Sequence, residues 1–288
     1  MKFSNKTILG LALCYITLSC KPDKEQEPIP TPVQDKMGTV EIIIEPKFED
    51  KNFKIGDTYT TVAKEEIKIN DLKFFLSNIG LVNLDASESK SYPYPGDSAQ
   101  SGVYLVNFVK PNFDAGNGGG TNSYKIQIKA KEGEYADLRF DMIVPRELNF
   151  ADITKNPYPV QAKNGMYWSW NSGFKFMVVN GTSNVIGGSK AFHLSLGLDK
   201  SVSYLFKSLI LAPSREKIIV SEGKTTTIKF NFDISQIFQN TDGSAYSLKP
   251  PVGVSDAMNP AQVHGGFYSN ILRANTQQCM EMVGFSTK

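Results

Sequence analysis

Thr39-Val-Glu-Ile-Ile-Ile-Glu-Pro46 and Lys190-Ala-Phe-His-Leu-Ser-Leu-Gly-Leu198 decide the fold class. The first is a short run crowded with β-branched residues. In the second, Phe192, Leu194 and Leu196 alternate with Ala191, His193 and Ser195, the period of a strand with one apolar face. The same signature recurs at Glu65-Leu72, Phe75-Leu84, Gly102-Phe108, Tyr124-Ala130, Ala136-Val144, Met166-Val179, Ser203-Leu211, Glu216-Val220 and Lys224-Phe232. Helical candidates are few: Ile234-Gln239, opened by Asp233, and Phe267-Val283, amphipathic through Ile271, Leu272 and Met282. Many short strands without alternating long helices predict an all-β protein, an antiparallel β-sandwich with long loops and few short helices. The chain of 288 residues carries 41% hydrophobic residues, enough for one large core, and no linker-like composition divides residues 38–288.

Outside that region the sequence changes character. Lys2 and Lys6 precede the apolar run Ile8 to Ile16, which is too short to span a bilayer as a mature helix and ends in Leu18-Ser19-Cys20. Residues 1–19 read as a lipoprotein signal peptide and Cys20 as its lipidated cysteine. Acyl chains contribute about 0.8 kcal/mol per buried methylene, so two or three of them hold a protein on a membrane without a spanning helix. Residues 20–37, charged and rich in proline, have nothing to pack and read as a tether. The polar residues just behind Cys20 resemble export signals of surface lipoproteins in Bacteroidota. The expected location is the cell envelope, lipid-anchored at the outer membrane on its periplasmic face or at the cell surface.

Charge and residue supply exclude several functions. Without Lys2 and Lys6 the chain has 29 Lys and Arg against 29 Asp and Glu, a balance that gives no support to nucleic-acid binding. Beyond Cys20 the only thiol is Cys279, so neither an intrachain disulfide nor a CxxC metal knuckle is available in the folded part. Gly187-Gly-Ser189 lacks the closing glycine of a nucleophile elbow, and Ala115-Gly-Asn-Gly-Gly-Gly-Thr121 lacks the lysine of a phosphate loop. The long segment Gln239-Val263, rich in Pro and Gly, is expected to wrap the sandwich edge or line the mouth of a site.

The two histidines of the chain are the candidate metal ligands. His193 falls on the small, polar face of its strand, and His264 lies in Gln262-Val-His-Gly-Gly-Phe267, where glycines allow close backbone approach. Both tryptophans lie in Gly165-Met-Tyr-Trp-Ser-Trp-Asn-Ser-Gly-Phe-Lys-Phe176. Trp168 and Trp170, two apart, share a strand face as core or site wall, and an unmodified indole only donates. Cys279-Met-Glu-Met282 adds two thioethers, Met280 and Met282, which are soft ligands suited to Cu(I), although helical spacing there favours core or interface packing.

Asp71-Leu-Lys-Phe-Phe-Leu-Ser-Asn-Ile-Gly80, Val103-Tyr-Leu-Val-Asn107, Ile143-Val-Pro-Arg-Glu-Leu-Asn149, Gly165 to Phe176, Phe192-His193 and Ala274-Asn275 resemble, in that order, the MbnP-like copper-binding protein family. The resemblance covers nearly all of Thr39 to Phe285 and is most specific at Gly-Met-Tyr-Trp-Ser-Trp-Asn-Ser-Gly. It implies a β-sandwich of secreted or lipid-anchored bacterial proteins that handle copper in the periplasm or outer membrane. It further implies copper as cofactor, held by histidines and by a kynurenine made from tryptophan, with a di-haem peroxidase-like protein as partner. Phe192-His193 matches the family's histidine segment; the resemblance does not assign the kynurenine to one tryptophan, and Trp168 and Trp170 are both candidates for modification or for the site wall. The expected function is copper binding without catalysis. The competing class is a β-sandwich recognition lipoprotein that binds a glycan, a peptide or an outer-membrane partner such as a receptor.

Overall fold

A computed structural model describes residues 35–85, 87–89, 92–93, 102–109, 123–157, 159–168, 173–186, 191–197, 209–210, 217–252, 259–264 and 266–288. The signal peptide, Cys20, most of the tether, Ala115-Thr121 and Trp170 lie outside them. Residues 35–288 form one compact unit. In chain order the strands are β1 (Met37–Phe48), β2 (Lys51–Asn52), β3 (Thr58–Thr60), β4 (Glu66–Asn83), β5 (Glu88–Ser89), β6 (Tyr92–Pro93), β7 (Val103–Asn107), β8 (Tyr124–Lys131) and β9 (Gly133–Asp141). They continue with β10 (Tyr167–Trp168), β11 (Gly173–Ser183), β12 (Ala191–Gly197), β13 (Leu209–Ile210), β14 (Ile218–Val220), β15 (Thr225–Asp233), β16 (Gln262–Val263) and β17 (Met280–Thr287). The helices are α1 (Arg146–Asn149) and α2 (Gly266–Thr276), with 3-10 turns at Ala162–Asn164 and Ile234–Phe238.

Two sheets face each other. The first runs β17-β15-β1-β8-β6, and the second runs β13-β9-β4-β11-β12-β16, with shorter strands paired along both. Val40, Ile42 and Ile44 of β1, Ile126 and Ile128 of β8, and Phe230 and Phe232 of β15 point into one core with Phe74, Leu138, Phe140, Val179 and Leu194 of the other sheet. Rings bridge the layers: Phe74 stacks on Phe232 at 4.6 Å, and Phe140 meets Phe230 edge-on at 5.8 Å.

The sheets are mixed rather than wholly antiparallel. β1 pairs with β15 in parallel, Thr39 opposite Thr225 through Lys47 opposite Asp233, and β12 pairs with β16 in parallel. Between β1 and β15 the chain builds the second sheet, and that excursion supplies the long crossover a parallel pair needs. A hairpin alone cannot make one.

Three elements differ from the sequence expectation. Glu65-Leu72 and Phe75-Leu84 are one strand, β4, because no turn residue interrupts Lys73-Phe74. Phe74 enters the main core while Phe75 enters a second one with Val103, Leu105, Val144, Met166, Phe174, Phe176 and Val178, so β4 is covered on both faces there and loses its alternation. Met166-Val179 is not a single strand: β10 folds back on β11, with Trp168 opposite Gly173 and Tyr167 opposite Phe174. The helix expected over Phe267-Val283 stops at Thr276, and Met280–Thr287 pairs antiparallel with β15. Burial alternates across Met280, Glu281 and Met282 in strand fashion, so Met282 belongs to a strand and not to the helical face.

The segment before β11 is pinned onto the outer face of the second sheet. Asn149, 1% exposed, accepts a 2.7 Å hydrogen bond at Oδ1 from the Phe174 amide, and Val144, Val160 and Met166 pack below it. Part of Gln239-Val263 is tied to the start of β4: buried Glu65 accepts hydrogen bonds from the Ser247 hydroxyl and, at 2.9 Å, the Leu248 amide. Tyr246 donates to the Pro260 carbonyl at 2.7 Å.

Candidate functional site

The apolar cover over the second sheet leaves a strip of its outer face open, and the histidines lie there. On β12, Phe192, Leu194 and Leu196 are buried while His193 is exposed, as the alternation in its sequence predicts. β16 runs parallel to β12, with Gln262 opposite His193 and Val263 opposite Leu194. The His193 amide donates to the Ala261 carbonyl at 2.8 Å, and the Gln262 side chain donates to the Ala191 carbonyl at 3.1 Å. His264 is the next residue after β16 and is therefore delivered beside the same strand.

His264 lies within electrostatic reach of His193. Desolvation by surrounding protein lowers the pKa of His264 from its ordinary value, and the positive charges of His193 and then Lys175 lower it further. Lys175 is itself shifted down, first by desolvation; Asp71 opposes that shift and Lys73 adds to it. Its ammonium donates to the Gly165 carbonyl at 3.3 Å. The strip thus combines two imidazoles, two lysines and one carboxylate.

A polar row crosses the strands at His193. Asn180 of β11 lies opposite Asp71 of β4 on one side and His193 of β12 on the other. The register slips between Asn180 and Gly181, where a side chain is excluded: a Cβ on Gly181 would stand 2.2 Å from the Lys68 carbonyl oxygen and 2.6 Å from the Phe192 ring. Asp71 is paired with Lys73 at 2.9 Å.

Trp168 forms a wall at one end of the strip. It is 5% exposed, and its ring rests on Gly197, where a Cβ would stand 2.4 Å from Cζ3. Gly197, Ser195 and His193 share one face of β12, so the indole is on the side that carries the imidazole. Met280 and Met282 are placed elsewhere. They face inward from β17 of the other sheet, opposite Phe232 and Phe230, with Met280 inside the main core and Met282 packed against it. Cys279 is buried, and burial pushes its thiol pKa well up, which keeps it protonated and inert.

Among the described residues no three His, Cys, Asp or Glu side chains converge as a metal site. The donor set on the strip is two imidazoles, a fit for copper, which takes neutral nitrogen ligands. Sequence reasoning missed Asn180 beside His193, Asp71 on the far side of Asn180, and Lys175 within electrostatic reach of His264. Their only signal was position on an outward strand face, which becomes legible once the register is known.

The family model described as MbnP matches residues 37–264. The chain belongs to the MbnP family. The match takes in β1 through His264 and ends before Ala274-Asn275, so α2 and β17 lie beyond it. Among solved structures, MbnP from Methylosinus trichosporium is similar at 13% identity with a TM-score of 0.48, over 77% of this chain and 84% of that one. No curated protein matches.

Proposed function

We propose that this MbnP-family protein is a copper-binding, non-catalytic protein of the bacterial cell envelope, with His193 and His264 as its nitrogen ligands. MbnP proteins are associated with methanobactin and copper handling. The observation that supports the reading here is that β16, paired in parallel with β12, brings the residue that follows it, His264, within electrostatic reach of His193. Neutral imidazole is the form that ligates, and the lowered pKa of His264 keeps its lone pair available at neutral pH. Trp168 supplies the wall beside them, and conversion of a tryptophan to an aryl amine and carbonyl, as the family resemblance implies, would add a donor that an indole lacks. Lipidated Cys20 anchors the protein to the outer membrane, and a di-haem peroxidase-like protein or an outer-membrane receptor is its partner.

Calorimetric titration with Cu(I) and Cu(II) tests the ligands. His193→Ala is expected to remove most binding and His264→Ala to weaken it, while Met280→Ala leaves Cu(II) binding in place because that thioether sits in the core. Wild-type affinity in the His193→Ala protein would refute the assignment. Deletion of Cys20 chemistry by Cys20→Ala is expected to release the protein from membranes; retention in the membrane fraction would refute the anchor.

A further inference from the structure

The state of the His193 ring is set by groups two strands away. Lys73 holds the Asp71 carboxylate, with Nζ 2.9 Å from Oδ1 and 3.0 Å from Oδ2. A carboxylate paired in this way only accepts, so the Asn180 amide, 3.4 Å from Asp71 Oδ2, must turn its NH2 group toward it. That choice points the amide oxygen Oδ1 at His193, where it stands 3.2 Å from Nδ1. Oδ1 also only accepts. Nδ1 must therefore carry the proton, and Nε2 the lone pair.

We propose that Asn180 is a positioning residue that locks His193 as the Nδ1–H tautomer, through the relay Lys73, Asp71, Asn180, His193. The relay is written into the backbone, because Asn180 is the cross-strand partner of Asp71 and of His193 alike, and the register slip at Gly181 follows directly after it. An unconstrained histidine has no such acceptor at Nδ1, and the identity of its protonated nitrogen follows whatever bond the other makes. The lock presents Nε2, the ring nitrogen farther from the backbone, to an incoming metal ion. Its consequence for copper rests on the proposed function; the tautomer itself does not.

The test uses the full-length, metal-free protein labelled with 15N-histidine. A long-range 1H–15N spectrum is recorded at about pH 8, above the ordinary histidine pKa of about 6.5, and His193 is assigned from the spectrum of His193→Gln. The expected result is a protonated-type shift at Nδ1 and a lone-pair-type shift at Nε2 of His193. Asn180→Ala is expected to lose this pattern, and Asn180→Asp, which still presents an acceptor, to keep it. An Nε2–H pattern in the wild type, or an unchanged pattern in Asn180→Ala, overturns the proposal. Copper titration then separates the two claims. Supporting groups behind a metal ligand are typically worth about 10–100-fold in affinity, so a loss of that order in Asn180→Ala supports the positioning role, and an unchanged affinity overturns it. A locked ring in a protein that binds no copper would uphold the tautomer and refute the copper function.

Discussion

Trp168 and Gly197 depend on each other. The ring lies where a side chain at 197 would be, 2.4 Å from Cζ3 and 2.7 Å from the Phe174 carbonyl oxygen. Gly197→Ala is expected to cost about 1–3 kcal/mol by overpacking, and Trp168→Ala about 3–5 kcal/mol by cavity formation. The two changes should add only in part, because removing the ring removes its own clash and leaves the one with the Phe174 carbonyl oxygen. Denaturant unfolding of the singles and the double checks this, and strict additivity would place the ring elsewhere. His264 has a pH signature with a definite sign. Its folded pKa is below the unfolded value of about 6.5, so below that pH the unfolded chain binds more protons. Stability from this group is present above pH 6.5 and is lost as pH falls through the folded pKa. His264→Gln should lose less stability than wild type between pH 7.5 and 5, read from the urea midpoints.

At the scale of elements, legibility followed whether one face or two were buried. β12 was readable residue by residue because Phe192, Leu194 and Leu196 face the core and His193 faces water. β4 was not, since Leu72 through Ser77 are covered from both sides except at Lys73, and a continuous apolar run reads as two segments. Asn78, with φ of 51°, adds a bend in the middle of that strand, beside a register slip between Ser77 and Gly80. The turn after β15 was legible from Asp233. Its carboxylate accepts from the Ser235 amide at 3.0 Å, the Ser235 hydroxyl at 2.7 Å, the Gln236 side chain at 3.1 Å and the Glu49 amide at 2.9 Å. Glu49 itself has a left-handed φ of 55°. Asp233→Ala is expected to cost about 1–2 kcal/mol as a lost cap, and Asp233→Asn less, because one acceptor oxygen remains. Thermal melts of the two variants make the comparison.

For the whole molecule, residue types revealed a sandwich but not how it closes. No local pattern tells that β1 accepts β15 in parallel, because that pairing joins segments nearly 190 residues apart through the second sheet. A shorter but still non-local pairing hid the candidate site: His193 was readable as polar-faced and His264 as glycine-flanked, but what brings His264 near His193 is the docking of β16 beside β12. The last strand also carries whole-molecule weight. β17 covers the edge of β15 although it lies outside the family match, so a chain ending after residue 264 should leave Phe230 and Phe232 on an unprotected edge strand and aggregate. Soluble, monomeric truncated protein in sedimentation would contradict that expectation. Whether the strip around His193 and His264 holds copper is decided by the metal content of protein isolated from its native envelope, wild type beside His193→Ala. Copper in the wild type and its loss in the variant are expected; a copper-free wild type, or equal copper in both, would refute copper binding there.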